Sequence, residues 1–381
     1  MSRSTLFIAS GFGLVATCYG LARFAFGLFL PAIASDLALT ASFSGLVSGG
    51  SFLGYCIAII ASAVLTERFG PRAVAALAGT IGTAGLAGMA AAQTGTAMGL
   101  AVLIAGLSTG LASPPLAASV AANLNRHRQD RANTVINAGA AGGVALSAPA
   151  AWIFGDDWRF AFMLFAGTAA MATLAIALAM PRAARPDIGA EGGFPSFSLE
   201  LKRLTASALV MGVASTAVWS FGGELTRKGL GWASGDVGCL WLVIGIFGLT
   251  GGLCGAAVQR FGLDRVHVVF LTAMASAILS IAVAANSIIA MAGGAVFGGA
   301  YMMLTGVYLV WGVRAVPERP AAGIMIGFLA IAIGQTAGAP LFGFLLEQSG
   351  RMMAGVAFAL LAVAAAAFPL QRAHPFSATQ P

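Results

Sequence analysis

Residues 63–72 read Ala63-Val64-Leu65-Thr66-Glu67-Arg68-Phe69-Gly70-Pro71-Arg72, and residues 255–262 read Gly255-Ala256-Ala257-Val258-Gln259-Arg260-Phe261-Gly262, with Arg265 following. The shared Arg-Phe-Gly returns at an offset of 192. Two further matches keep that register. Ala148-Pro149 returns as Ala339-Pro340 at an offset of 191, and Arg159 returns as Arg351 at 192. One such match in a chain rich in Ala and Gly is chance, but three in register point to an internal duplication. Long apolar runs flank both copies, so the duplicated unit is a block of membrane-spanning helices.

The composition supports this class. Of 381 residues, 59% are hydrophobic and 9% charged, against roughly 25% charged in an ordinary globular domain. The mean hydropathy is +0.91. So few charges cannot cover a soluble surface of this size, which excludes a soluble enzyme, a secreted disulfide scaffold and a disordered chain. The net charge of +7 forms no continuous or aromatic-interleaved patch, so no nucleic acid is expected as a partner. Cys18, Cys56, Cys239 and Cys254 lie in apolar segments without a CxxC pair and read as free, small hydrophobes.

A bilayer-crossing helix needs about 20 mostly apolar residues. Spans are expected near 5–34, 42–65, 73–92, 97–122, 132–154, 160–180, 205–224, 236–258, 266–285, 288–313, 321–346 and 352–370. The runs are too long and too evenly apolar for barrel strands. Met1-Ser2-Arg3-Ser4 leads directly into the first run without an A-x-A-like site, so that run reads as a first span and not as a signal peptide. Residues 181–204 hold three prolines, three glycines and seven charges and read as a linker. The expected organisation is a six-helix bundle over 1–180, a cytoplasmic linker over 181–204 and a second six-helix bundle over 205–381. Twelve spans with both termini inside place 15 of the 20 Lys and Arg on the cytoplasmic side and four outside, as the positive-inside rule requires. The twentieth, Arg23, lies within the first span.

Together these features resemble the major facilitator superfamily over essentially the whole chain. That family's loop motif, G-x-x-x-D-R/K-x-G-R-R/K, is matched at Arg68, Gly70 and Arg72, with Glu67 for the Asp, Ala63 for the first Gly and Pro71 for the first Arg. The degraded second copy at Gly255, Arg260 and Gly262 and the Trp158-Arg159 pair entering helix six fit the same pattern. Tyr19, Gly20, Arg23-Phe24-Ala25-Phe26 and Leu30-Pro31 are similar to bacterial permeases near the cyanate/nitroimidazole and YbfB-like groups. Helix four departs from the family, with Val102 and Leu103 before Gly106 and Gly110 where an Arg is frequent.

The resemblance implies an all-α fold of 12 transmembrane helices in two six-helix repeats. It further implies a monomeric secondary transporter of the bacterial inner membrane that works by alternating access. A small-molecule substrate would bind near the midplane, with protons or a counter-solute as coupling partner. It implies no enzyme activity and no cofactor. Glu67, Arg68, Gly70, Arg72, Arg260 and Gly262 would then belong to a cytoplasmic gating latch. Loop charges that merely enforce topology are the plainer alternative for these residues.

Arg23 is the sharpest single signal. An arginine in hydrocarbon costs at least about 2.5–3.5 kcal/mol, so it should face a cavity or a partner. Ala16, Tyr19, Gly20, Arg23 and Gly27 share one helix face. That face suits a fork for a carboxylate or similar oxyanion, which makes a small organic anion the first substrate to consider. The plain alternative is a structural arginine tied to a neighbouring helix. Glu224, at the end of helix seven, is a candidate proton site. Helix ten presents Tyr301, Thr305, Tyr308 and Gly312 on one face with Trp311 beside them, helix five presents Asn133 and Asn137, helix seven Ser215 and Trp219, and helix eleven Gln335.

Of these, Tyr19, Asn137, Trp219, Tyr301, Tyr308 and Gln335 join Arg23 as candidate substrate contacts. Asn137 and Gln335 are favoured because buried amides need partners. His127, His267 and His374 fall in connections or the tail, which argues against a histidine relay. No His/Cys/acid cluster has metal-ligand spacing, and no P-loop is present. Two other functions fit less well: efflux of amphipathic drugs or metabolites along the aromatics, and a membrane sensor or scaffold.

Overall fold

The computed structural model describes residues 3–181 and 198–366. Among them the chain is helical throughout and contains no strand. Twelve spans follow in order: α1 (Arg3–Asp36), α2 (Ala41–Phe69), α3 (Pro71–Ala91), α4 (Gly95–Asn123), α5 (Arg126–Phe154) and α6 (Trp158–Ala179). In the second half α7 runs over Leu199–Trp219 and, after a 45° bend, Gly222–Leu230. It is followed by α8 (Ser234–Phe261), α9 (Leu263–Ala282) and α10 (Ser287–Ala315). The last helix, Pro320–Ala366, is kinked where Gly350 adopts φ +77°, which divides it into α11 (320–349) and α12 (351–366). Most of the expected 181–204 linker and His374 lie outside the described residues, and α7 begins at 199, within the stretch read as linker.

Local chemistry explains where the helices start and turn. Thr40, Thr94, Ser198 and Asn286 each accept a backbone N–H three residues on, satisfying donors that a helix N-terminus leaves open. Gly70 and Gly262, the glycines of the repeated Arg-Phe-Gly, adopt φ +82° and +85°, a region that favours glycine. Each ends one span and starts the next.

The duplication is visible in side-chain contacts as well. At the start of α6, Arg159 donates to the Ala92 carbonyl at the end of α3, at 3.0 Å. At the start of α12, Arg351 donates to the Ala282 carbonyl at the end of α9, at 3.2 Å. The N-caps Thr94 and Asn286 also stand 192 residues apart.

Because lipid is as apolar as the helices, packing depends on close approach between small residues. On α2, a Cβ added at Gly45 or Gly49 would crowd the backbone of α11 at Ala339 or Thr336. On α8, Gly245 lies against Ala141 and Ala145 of α5. These two seams join the halves. Large apolar side chains such as Leu146, Ile153, Met171, Leu174 and Leu178 are more than half exposed, as suits helices that face a bilayer.

Candidate functional site

The first span is not a uniform α-helix. Residues Ala16–Phe24 form a π-helical stretch, closed by the Ala25 N–H donating to the Gly20 carbonyl five residues back. Such wide turns are rare and often mark functional positions. Here the turn carries Tyr19 and Arg23. Gly20 makes it packable, since a Cβ there would overlap the backbone of Gly143 on α5.

Arg23 is buried, with 7% of its surface exposed. One Nη of its guanidinium donates to Oε1 of Gln335 on α11 at 2.7 Å. Nε2 of Gln335 in turn donates to Ser215 Oγ on α7 at 3.1 Å and Tyr301 Oη on α10 at 3.2 Å. The guanidinium carbon lies 4.7 Å from the ring centroids of both Phe52 and Tyr55 on α2 and 5.3 Å from that of Phe24, within cation–π range. Ion pairs form at Arg159–Asp36, Arg227–Asp156 and Lys228–Glu224, and among the described residues no carboxylate pairs with Arg23. Its Nε is buried without a hydrogen-bond partner.

An aromatic wall stands beside this fork. Trp219 stacks on Phe24 with centroids 4.1 Å apart and meets Tyr301 edge-on at 5.1 Å. Its indole Nε1 is also buried and unpartnered. Tyr19 is half-buried and shares a 3.0 Å hydrogen bond with Ser113 on α4. Arg23, Tyr19, Trp219, Tyr301 and Gln335, all candidates from the sequence, therefore belong to one region.

Two other candidates are placed elsewhere. Asn137 is exposed on α5 and is not the buried amide expected from the sequence. Tyr308 lies two helical turns beyond Tyr301, where its hydroxyl is 3.0 Å from Ser207 Oγ and 3.2 Å from His267 Nε2. Ser207 also donates to the Ala365 carbonyl at 3.1 Å, so this cluster ties α7, α9, α10 and α12 together. His267 is thus inside α9 and 1% exposed, which corrects its expected place in a connection. The sequence reading also missed Phe52 and Tyr55, although their i, i+3 spacing on one face of α2 was an available signal.

In the loop motif, Arg68 lies over the Phe69 ring at 5.4 Å and Arg260 over Phe261 at 5.2 Å. Among the described residues Glu67 and Arg72 form no ion pair. Glu224 pairs with Lys228 at 2.9 Å on the wall of a cleft of about 330 Å³ that also includes Pro31 and Arg227.

Polar links between the halves run from the centre to the end opposite Arg3 and Ala366. Trp241 donates to the Phe24 carbonyl at 3.1 Å, and Ser48 meets Ser220 at 2.6 Å. Further out, Glu347 accepts from the Ser42 N–H at 2.9 Å, and Asp156 takes both Arg227 and Ser234.

The sequence model of the Major Facilitator Superfamily matches residues 12–339. The chain belongs to that superfamily. It is a multi-pass membrane transporter, not an enzyme, with the superfamily's two six-helix repeats. None of the curated proteins matches it. Among solved structures, it is similar to the nucleoside transporter NupG, at 15% identity over 97% of this chain and 98% of that one, with a TM-score of 0.76. It is similar to the xylose transporter XylE from E. coli in a partially occluded inward-open conformation, at 15% identity, 96% and 98% coverage and a TM-score of 0.77. The human organic anion transporter MFSD10 follows at 17% identity, 97% and 100% coverage and a TM-score of 0.69. At these identities the similarity is one of fold.

Proposed function

We propose that this superfamily member is a secondary transporter of a small organic anion, with Arg23 as the anion contact at the centre of the bundle. The observation that carries this reading is a buried guanidinium with no carboxylate partner among the described residues and a donor still unmet. Its burial is costly, and an anionic substrate would supply the missing charge. MFSD10 is named as an organic anion transporter, NupG as a nucleoside transporter and XylE as a xylose transporter, so the fold serves different substrates and the choice rests on Arg23. The aromatic wall of Phe24, Trp219 and Tyr301 would take the apolar part of such a substrate.

In this reading the halves, 1–180 and 205–381, rock about the central site in a bacterial inner membrane. The basic asymmetry puts both termini in the cytoplasm. The linked end would then face outward, in a state closed to the outside. Glu67, Arg68 and Arg72 would latch the cytoplasmic end in the opposite state, with Glu67 at a helix N-terminus.

Uptake by purified protein in proteoliposomes tests the assignment. Arg23→Ala should abolish transport of any anion that the native protein carries while the variant still inserts and folds. Arg23→Lys should recover only part of it, because an ammonium keeps the charge and loses the planar fork. Normal turnover by Arg23→Ala would sink the assignment.

A further inference from the structure

We propose that Gln335 is a placeholder for the substrate's carboxylate, seated on half of the Arg23 binding edge and displaced when substrate arrives. The proposal rests on the anion reading above. Phe52 and Tyr55 both lie 4.7 Å from the guanidinium carbon, with Phe24 at 5.3 Å, so three rings crowd the guanidinium. A carboxylate hydrogen-bonds to the guanidinium in its plane, along an edge, because all its N–H donors point that way. The edge formed by Nε and Nη2 is the one a carboxylate grips side-on through two parallel hydrogen bonds.

Of these two nitrogens, Nη2 donates to Gln335 Oε1 at 2.7 Å, and Nε has no partner. A carboxamide offers a single acceptor atom. The other end of this one, Nε2, is already committed to Ser215 and Tyr301. One nitrogen of the pair is thus engaged by a neutral group and the other is unpartnered. A carboxylate would fill both positions and bring the charge that Arg23 lacks.

The exchange has a structural consequence. Arg23 belongs to α1 in one half and Gln335 to α11 in the other. Displacing Gln335 replaces a link within the protein by one that runs through the substrate. Gln335 thereby sets selectivity for two-oxygen planar heads over neutral amides. It also makes the tie between the halves dependent on substrate.

The test uses the purified full-length protein, thermal stabilisation and calorimetric titration, with small carboxylates paired against their amides: benzoate and benzamide, lactate and lactamide, succinate and succinamide. For a carboxylate that stabilises the native protein, Gln335→Leu should bind it about 10-fold tighter, since a competing charge-assisted hydrogen bond is gone. Gln335→Glu should weaken it by ~100-fold or more, because a permanent carboxylate fills the edge and cancels the charge. The matching amide should stabilise none of the proteins.

Should Gln335→Glu fail to fold, Gln335→Leu decides alone. Loss of binding in Gln335→Leu as complete as in Arg23→Ala would overturn the placeholder and leave the anion reading intact, with Gln335 a direct substrate contact. Native-like binding by Gln335→Glu would likewise overturn it. If no carboxylate stabilises the protein in an Arg23-dependent way, the anion reading and the placeholder fall together.

Discussion

Arg23 and Tyr308 both meet buried polar partners, but the two clusters are joined differently. Arg23 reaches from α1 to Gln335 on α11, so its hydrogen bond spans the two halves of the bundle. It brings a charge, three aromatic rings around that charge and one donor with no acceptor. Tyr308 stays within the second half, where Ser207 and His267 close a ring of hydrogen bonds at 3.0–3.2 Å and Ser207 also holds the Ala365 carbonyl. Polar networks in a membrane interior are costly when incomplete and rigid when complete. The incomplete network lies between the two halves, which suits a binding site, and the more complete one lies within a single half, which suits a structural tie.

The largest effect that would break this contrast is at Arg23. Arg23→Ala should lower transport by at least ~100-fold, as expected for loss of a charge-assisted bidentate contact, with little change in folded yield. A variant that transports normally but unfolds readily would invert the assignment and make Arg23 the structural member of the pair.

Next in size is Gly20→Ala. A Cβ there overlaps the Gly143 backbone, and such overpacking costs about 1–3 kcal/mol. Thermal unfolding should show a clear loss, and transport should fall with it because the wide turn that carries Arg23 must shift. Unchanged stability would mean that α1 and α5 are not in contact at this depth.

Tyr308→Phe should act in the reverse sense to Arg23→Ala. Removing one hydroxyl from the Ser207–His267 cluster should cost about 0.6–1.7 kcal/mol, the range for hydrogen bonds between membrane helices, with substrate KM unchanged. A raised KM without a stability change would return Tyr308 to the binding site. The smallest effect is expected at Arg227→Ala. Its pair with Asp156 is 3.3 Å long, with 37% and 66% of the two side chains exposed, and pairs of that kind contribute about 0–1 kcal/mol. A large shift in transport rate there would show that the outer links, not the central cluster, limit the conformational cycle.

Much of the fold was legible in the sequence because its signals are local. Apolar runs and the glycines at 70 and 262 each act within one span or one turn, and the repeat offset brought the two glycines into correspondence. The site was legible in part. Arg23 stood out because a charge in hydrocarbon needs a reason, and Gln335 because a buried amide needs partners. Asn137 carried the same chemical signal as Gln335 but is exposed, and whether an amide faces inward depends on how its helix is rotated against its neighbours.

Tyr301 and Tyr308 show where the sequence alone stops. Seven residues apart, they share a helix face but differ in depth by roughly 10.5 Å, and depth decided that one meets Gln335 and the other His267. The sequence by itself determined the class, the count of spans, the duplication and the presence of one unexplained charge, since these follow from hydrophobicity and turn chemistry read along one dimension. The tertiary structure alone decided the wide turn in α1, the three rings around Arg23, the burial of His267 and the hydrogen bond of Arg23 to Gln335. Those features depend on which faces of distant helices approach closely enough to touch, and small residues far apart in the chain set that approach jointly.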